Sequence, residues 1–595
     1  MAKELTQERI EMCRHSLAHI MAQAVVELIP GTKLAIGPAI ADGFYYDFDA
    51  ARPITEEDFE PITGRMEEII KSGETFTRDE MSRGEALLRF ADEPYKTELI
   101  SDLPEGESIT LYSTGDNFFD LCRGPHVENS RELMAWGFQL MSVTGAYWRG
   151  DENRPMLQRV YAYAFPDKKA LKAYIAEREE AKKRDHNKLG RELEYFTTTD
   201  YIGQGLPILL PKGTMVMRTL QRFVEDEEER RGYLQTMTPL LAKRELYKIS
   251  GHWDHYRDGM FIMGAPDKFD DESEEILALR PMTCPFQFQA YLNRMRSYRD
   301  LPLRYNETST LFRKESSGEM HGLIRVRQFT ISEGHLACRP DQLEREFAGC
   351  VDLAKFMLET LGLDGDVTYR FSKWDEHDTE KYIGDKEDWE SAQDLMRRIL
   401  DDIGIDYTEA DGEAAFYGPK LDIQIKNVFG KEDTLITIQV DFQLAERFGM
   451  EYVDADGSRK RPYVIHRTSI GCYERTLALL IEKYAGALPM WLMSEQVRVL
   501  PITDRHTEAS QALRDRLRSL GVRAACDSRN EKIGFKIREA RMERIPYMLV
   551  LGDKELEDGT VSVRSRNSGD LGAEPVDDFI AKALDEISTK AKISR

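Results

Sequence analysis

LFRKESSGEMHGLIRVRQFTISEGH, residues Leu311–His335, gathers Arg313, Lys314, Arg325 and Arg327 around Glu315, with a Ser-Ser-Gly turn at Ser316–Gly318. The flanks Leu303–Leu311 and Leu323–Thr330 alternate apolar and polar residues and read as two strands around one glycine-containing loop. Arginines on adjacent strands facing one cleft suit a polyanion, because a guanidinium fork binds phosphate through two parallel N–H bonds. A solvated surface hairpin carries the same charges with little gain in stability. The surrounding sequence decides between the two.

The 595 residues exceed what one core organises, so three or four domains are expected. Hydrophobic residues make up 41% and charged residues 32%, a soluble globular profile. No apolar run approaches the length of a membrane span, and MAKELTQERIEMCRHSLAH has no apolar signal-peptide core. Seven cysteines spread from Cys13 to Cys526 form no disulfide framework and point to a reducing cytoplasm. The net charge of −24 argues against a general nucleic-acid coat, although a local basic face can still bind a specific polyanion. Such a face lies at Arg529–Arg544, where six Lys/Arg stand against three Glu.

Four segments follow. Residues 1–165 open with an amphipathic helix around Gln7–Leu28 and continue through strands such as Phe44–Phe48. Residues 166–194 contain the charged run Asp167–Glu194, which reads as one uninterrupted helix, polar nearly all round and suited to bridging domains. Residues 195–495 mix short strands, including Thr434–Phe442, with amphipathic helices. Residues 496–595 alternate strand and helix (Gln496–Ile502, Glu508–Leu520, Arg523–Asp527, Lys532–Arg544, Tyr547–Leu551), as in a small parallel or mixed α/β domain.

Together these motifs resemble a class II aminoacyl-tRNA synthetase, and among these the threonyl-tRNA synthetase family, over essentially the whole chain. Pro239 in QTMTPLL is similar to the first class II motif, used at the dimer interface; Leu311–Phe329 to the second; and GCYERTLALL, Gly471–Leu480, to the third. The resemblance implies an α+β multidomain protein: an antiparallel-sheet catalytic core at 195–495, flanked by an α+β editing domain at 1–165 with its linker helix at 166–194, and a C-terminal α/β anticodon-binding domain at 496–595. Bacterial members usually carry a further small ubiquitin-like N-terminal domain. This sequence starts at the editing domain, so a chain without that module is expected.

The implied chemistry is an attack by the threonine carboxylate on the α-phosphate of ATP, for which preorganised positive donors are the largest available effect. By resemblance Arg313 holds the α-phosphate and carboxylate, Glu315 accepts from the adenine amino group, Phe329 stacks on the base, and Arg325 joins the ATP contacts. Arg475 binds the γ-phosphate, Gly471 lets ATP approach the backbone, and Mg²⁺ bridges the phosphates. Tyr417 and Glu333 contact the amino acid. His252 in SGHWDHY matches a histidine placed for transfer to the terminal ribose, with Gln439 and Lys420 as ribose- and phosphate-side partners. The expected partners are ATP, L-threonine and tRNA(Thr), in a cytoplasmic homodimer with no membrane association.

Cys284, His335 and His466 lie 51 and 131 residues apart, so spacing alone does not mark them as ligands. The resemblance makes them a Cys/His/His zinc site. One thiolate and two imidazoles leave Zn²⁺ an open position, as catalytic sites do. A metal that takes both the amino group and the β-hydroxyl rejects valine. Serine differs by one methyl, worth about 1–3 kcal/mol, so misactivated serine calls for a second, hydrolytic site.

His15 and His19 share one helix face, while Cys122 and His126 have the same spacing in a stretch that Gly124-Pro125 marks as a loop. By residue type this set reads equally as zinc ligation. By resemblance it is a metal-free pocket that hydrolyses seryl-tRNA, with Lys96, Tyr46 and Asp120 as further pocket residues. His15 and Lys96 then position or activate water, and Asp120 and Tyr46 support them. In the C-terminal domain Asn530, Lys532, Arg538, Glu555 and Arg564 match anticodon-reading positions, where unpaired bases offer free Watson–Crick edges.

The amino-acid pocket departs from the family pattern. Ile331 and Glu333 stand where Gln and Asp are usual, Phe286-Gln287 replaces Gly-His, and Thr434-Leu435-Ile436 replaces Gln-Cys-Gly. An active threonine–tRNA ligase with serine editing, a specialised paralogue with an altered pocket, and an inactive tRNA- or mRNA-binding regulator are the readings these residues leave. The intact Arg313, Glu315, Arg475 and zinc ligands speak against the last.

Overall fold

The computed structural model describes residues 6–104, 106–151, 153–378 and 381–592. Backbone contacts divide the chain into two compact units, Met1–Glu180 and Ala181–Arg595, each with its own core.

In the first unit the expected opening helix spans Gln7–Leu28, begun by Thr6, whose side chain accepts from Arg9 N–H. Its middle, Ser16–Val25, is buried on all sides, because SLAHIMAQAV offers almost no charged face. The helix packs on the strand Gly43–Asp49 and the helix Phe59–Ser72. That strand belongs to a five-stranded antiparallel sheet with Gly137–Tyr147 and Met156–Phe165. A separate three-stranded sheet, Phe76–Met81, Ile109–Thr114 and Phe118–Leu121, ends in the loop that carries Cys122 and His126.

The run expected as one linker helix is two: Lys168–Arg184 and His186–Glu192. Asp185 leaves the helical conformation and caps the second helix by accepting from Asn187 N–H at 2.7 Å. The second helix is not polar all round, since His186, Leu189 and Gly190 are buried.

The second unit is organised by an eight-stranded, largely antiparallel sheet. Its order is Leu234–Gln235, Leu303–Phe312, Gln328–Cys338, Tyr463–Cys472, Glu432–Asp441, Lys420–Lys426, Val367–Ser372, Tyr407–Ala410. The helix Leu343–Leu361 covers one face with Phe347, Val351, Ala354 and Leu358. The register sets His335 opposite His466, and His466 opposite Gln439, in one row across three strands. Next to that row the pairing slips: Ile331 faces Cys472 while Glu333 faces Thr468. Ser332 Oγ accepts the Ser469 and Ile470 N–H groups that this bulge frees, each at 3.1 Å. Gly471 is required there, because its φ is +71° and a Cβ would come within 1.9 Å of Leu435 O.

The opening hairpin is also redrawn. Its second strand starts at Gln328, not Leu323. The backbone of 323–327 spends its polar groups elsewhere: Leu323 N–H on His186 Nε2 (3.2 Å) and Arg327 N–H on Gly205 O (2.7 Å). Arg325 and Arg327 therefore belong to the loop, and only the Arg327 carbonyl, accepting from Arg313 N–H, ties this segment to the first strand's end.

The C-terminal sheet is mixed. Ala524–Cys526, Val497–Pro501 and Tyr547–Leu551 are parallel, and the hairpin Thr560–Ser565 and Gly569–Pro575 continues it antiparallel, with the helix Val576–Ser588 packed on it. The chain is α+β throughout, as expected. No helix among the described residues is long and apolar enough to cross a membrane.

Candidate active site

One cleft of about 440 Å³ lies on the open face of the eight-stranded sheet. Arg313, Glu315, Arg325, Phe329, Glu333, Tyr417, Lys420, Gln439, Gly471, Arg475, His252, Cys284 and His466 all line it. The period-two side chains of the sheet explain this convergence: Phe329, Ile331, Glu333 and His335 leave one strand on the same face.

Arg313 lies over the Phe329 ring, 5.2 Å from its centroid, and its Nε donates to Pro281 O at 3.4 Å. Arg475 comes from the helix Tyr473–Lys483 and is braced by Ile324 O at 3.0 Å and by Thr434 O. Glu315 does not point free into the cleft. Its carboxylate accepts from Arg325 Nε at 2.8 Å, while its backbone carbonyl accepts from Arg327. Arg325 is half-exposed, so this pair is weakly held. Lys420 sits 2.7 Å from Asp422, and Gln439 accepts from the Tyr417 hydroxyl. His252 is buried with Nδ1 2.8 Å from Ser250 Oγ. Burial first, then the neighbouring His466 and Arg313, bring its pKa down to about 3, so the ring is neutral.

Cys284 opens the helix Cys284–Leu292 at the edge of the cleft, where the positive helix end favours a thiolate. Its ligand atom and those of His335 and His466 lie within 4.8 Å of one another, all buried. His466 Nε2 is 2.9 Å from Asp441 Oδ2, and His335 Nδ1 is 2.6 Å from Gln287 Oε1. Each histidine thus has one nitrogen tied to an acceptor. The other His335 nitrogen, Nε2, is buried without a partner, although Glu333 Oε1 stands 3.7 Å away. A thiol and an orphaned imidazole nitrogen in a dry cluster fit a soft divalent cation, with the acceptors behind the rings completing the arrangement. Burial, with Glu333 and Asp441 nearby, pushes the Cys284 thiol up, a shift that a bound cation reverses.

In the first unit His15, His19, Cys122 and His126 also converge, with ligand atoms within 4.8 Å. Here the groups bond one another: Cys122 Sγ is 3.3 Å from His15 Nε2 and 3.2 Å from His126 Nε2, and His126 Nδ1 is 3.1 Å from Ser16 Oγ. Burial pushes all three histidines down and the Cys122 thiol up to about 12. Beside them the Lys96 ammonium lies 2.5 Å from Asp120, which also accepts from the Tyr46 hydroxyl. All three of these side chains are buried.

The C-terminal residues are less tightly grouped. Lys532 and Arg538 line one shallow pocket at the helix Ile533–Met542. Glu555 caps its own short helix by accepting from Gly552 N–H, Arg564 pairs with Asp570, and Asn530 is exposed in a loop. The basic run is thinner than its sequence implies: Lys536 is buried, donating to Pro501 O and Asp527 O, and Arg529 is matched by Asp527 and Glu539.

Sequence reading did not assign roles to Gln287, Asp441 or Asp422. Gln287 was visible only as a departure from pattern. The two aspartates lie in strand alternation that looks structural, and only the fold shows which ring or ammonium they face.

An antiparallel sheet carrying two arginines and a neutral histidine around one cleft, with a mixed α/β domain behind it, is the architecture of a class II aminoacyl-tRNA synthetase. Family descriptions match accordingly: "tRNA synthetase class II core domain (G, H, P, S and T)" over 268–484, "Anticodon binding domain" over 496–586, and "Threonyl and Alanyl tRNA synthetase second additional domain" over 109–161. The chain is 59% identical over 576 residues to the threonine–tRNA ligase of Clostridium perfringens, covering 97% of this chain and 88% of that protein. It is 46% identical over 584 residues to that of Listeria welshimeri, covering 98% and 90%. Among solved structures, the RNA binding domain of threonyl-tRNA synthetase from Cryptosporidium parvum aligns at TM-score 0.63 and 31% identity, over 68% of this chain and 98% of that one. The chain belongs to the threonine–tRNA ligase family. It is a ligase with a class II core, an editing-type domain and an anticodon-binding domain, as the motifs implied.

Proposed function

We propose that the chain activates L-threonine with ATP, transfers it to tRNA(Thr), and hydrolyses mischarged seryl-tRNA(Thr) at its N-terminal site. One observation carries the first part: Arg313, Arg475, Cys284 and His466 line a single cleft, with His335 buried against Cys284 and His466 at its wall.

In this reading ATP lies along Arg325, Glu315 and Phe329, with Gly471 beneath it; Mg²⁺ bound with the ATP would supply positive charge to its phosphates. The Arg325–Glu315 pair opens to give Glu315 to the adenine amino group. The threonine carboxylate attacks the α-phosphorus and the bond to pyrophosphate breaks; Arg313 and Arg475 face the spreading negative charge. Cys284 Sγ, His335 Nε2 and His466 Nδ1 would hold one Zn²⁺, which supplies an open coordination position for the amino group and β-hydroxyl. Tyr417 and Glu333 border the same space. In transfer, His252 Nε2 takes the ribose proton, its other nitrogen being held at Ser250, while Gln439 and Lys420 order the ribose and phosphate sides.

Editing falls to His15, His19, Tyr46, Lys96, Asp120, Cys122 and His126, acting on a water without a metal. The Lys96 ammonium already supplies the positive charge there. Asn530, Lys532, Arg538, Glu555 and Arg564 read anticodon bases. The domains run 1–165, 166–194, 195–495 and 496–595. A homodimer through the catalytic domain would cover the exposed Leu234, Met237, Leu240 and Leu241 around Pro239. Seven unpaired thiols suit the cytoplasm.

ATP–pyrophosphate exchange measured with threonine, serine and valine tests the reading. Threonine is expected to be strongest, serine weaker and valine silent. Exchange strongest with any other amino acid sinks the assignment.

A further inference from the structure

The three ligands of the catalytic cluster need something to aim them, and for His335 that group is not the residue usual in the family. Gln287, where histidine is usual, is 1% exposed and places Oε1 2.6 Å from His335 Nδ1. Its orientation is fixed from behind. Gln287 Nε2 is 2.7 Å from Thr236 Oγ1, and Thr236 Oγ1 is 3.1 Å from both Asn306 O and Glu307 Oε2. Arg280 Nη1 lies 2.9 Å from the other oxygen of Glu307, which keeps that carboxylate an acceptor. A carbonyl and a carboxylate can only accept, so the Thr236 hydroxyl gives its one proton to them and receives from Gln287. Gln287 must then turn its oxygen, not its amide N–H, toward His335. Nδ1 carries the proton, and Nε2, the buried nitrogen without a partner, presents a bare lone pair to Cys284 and His466. A flipped amide would put an N–H against Nδ1 and move the ring proton to Nε2, where it blocks coordination.

We propose that Gln287 is the positioning residue that holds His335 in its metal-ready tautomer, and that Thr236 fixes the amide of Gln287. This rests on the reading of the cluster as a zinc site. Gln287→Leu keeps the volume and loses the acceptor; Gln287→Glu keeps the acceptor. The full-length, zinc-loaded protein and its variants are titrated with a graded chelator, and cobalt-substituted samples are compared by their d–d absorption. Gln287→Leu is expected to release zinc about 10–100-fold more readily with an altered cobalt spectrum, while Gln287→Glu stays within about threefold of the parent. Thr236→Val, at a less buried position, is expected to weaken zinc several-fold and answers the question if Gln287→Leu does not fold. Parent-like zinc retention in Gln287→Leu overturns the proposal, and so does equal loss in the Leu and Glu variants, which would mean packing. Unchanged retention in Thr236→Val overturns the part given to Thr236. A parent protein without stoichiometric zinc fails earlier and sinks the metal reading itself.

Discussion

The two histidine–cysteine clusters contain almost the same residue types and are wired differently. Around Cys284, His335 and His466 the rings are bonded outward, to Gln287 and Asp441, and their other nitrogens face the thiol and one another. Around His15, His19, Cys122 and His126 the thiol bonds two of the imidazoles directly, His126 also reaches Ser16, His19 Nδ1 is buried without a partner, and a cation already stands beside them as Lys96. Residue types and distances leave both clusters as candidate metal sites, and the proposed reading separates them by the thiol–imidazole bonds and the Lys96 ammonium of the second.

The largest test of that contrast is Cys284→Ser. It is expected to lose zinc, measured by metal analysis, and to cut threonine-dependent exchange on the order of 10³-fold, since several kcal/mol of substrate polarisation goes with the ion. Seryl-tRNA deacylation by the same sample is expected to persist; its loss would mean that the N-terminal cluster depends on a metal too. His15→Ala is the mirror image. Deacylation is expected to fall about 10²-fold while threonyl transfer continues, and unchanged deacylation would remove His15 from the site. His252→Ala is expected to slow transfer about 10–100-fold in single-turnover assays with exchange unaltered. Because burial holds its pKa near 3, transfer in the parent should show no protonation of His252 anywhere above about pH 5.

A further expected effect concerns stability. His15, His19 and His126 are all pushed below the ordinary histidine pKa by burial. The unfolded chain takes up protons near pH 6.5 that the folded chain refuses, so stability falls as pH drops below about 6.5. Each histidine contributes a slope of up to about 1.4 kcal/mol per pH unit. Urea titrations at pH 7.5, 6 and 5 should show the declining midpoint. A flat profile would mean that the inward-bonded cluster accepts protons when folded.

Elements with strong local signals were legible in the sequence. The helix Gln7–Leu28 has a capping threonine and an apolar body, and its ends agree with the sequence reading. The alternation in Leu323–Thr330 was equally regular and still misled, because long-range partners at His186 and Gly205 claim its backbone. Charge patterning failed for a related reason at Lys536, whose ammonium finds two carbonyls inside the C-terminal domain. Motif matching named residues that the fold brings to one cleft, Arg313, Glu315, Phe329, Gly471 and Arg475 among them. It could not find Gln287 or Asp441, which act through another side chain and obey no spacing.

The His186 contact beneath the loop at 313–327 has a consequence for how the chain is made. His186 donates to Glu482 through Nδ1 and accepts Leu323 N–H at Nε2, and Gly322 leaves room for it, since a Cβ there would come within 2.2 Å of that nitrogen. The carboxylate that sets this arrangement lies 296 residues downstream of the ring it holds. On a ribosome the His186 anchor of this loop closes only after Glu482, just past the third class II motif, has emerged. A nascent chain stopped earlier would lack the carboxylate that orients His186, so this one seat of the loop is completed late in synthesis, while those at Gly205, Gly259 and Pro281 form earlier in the sequence.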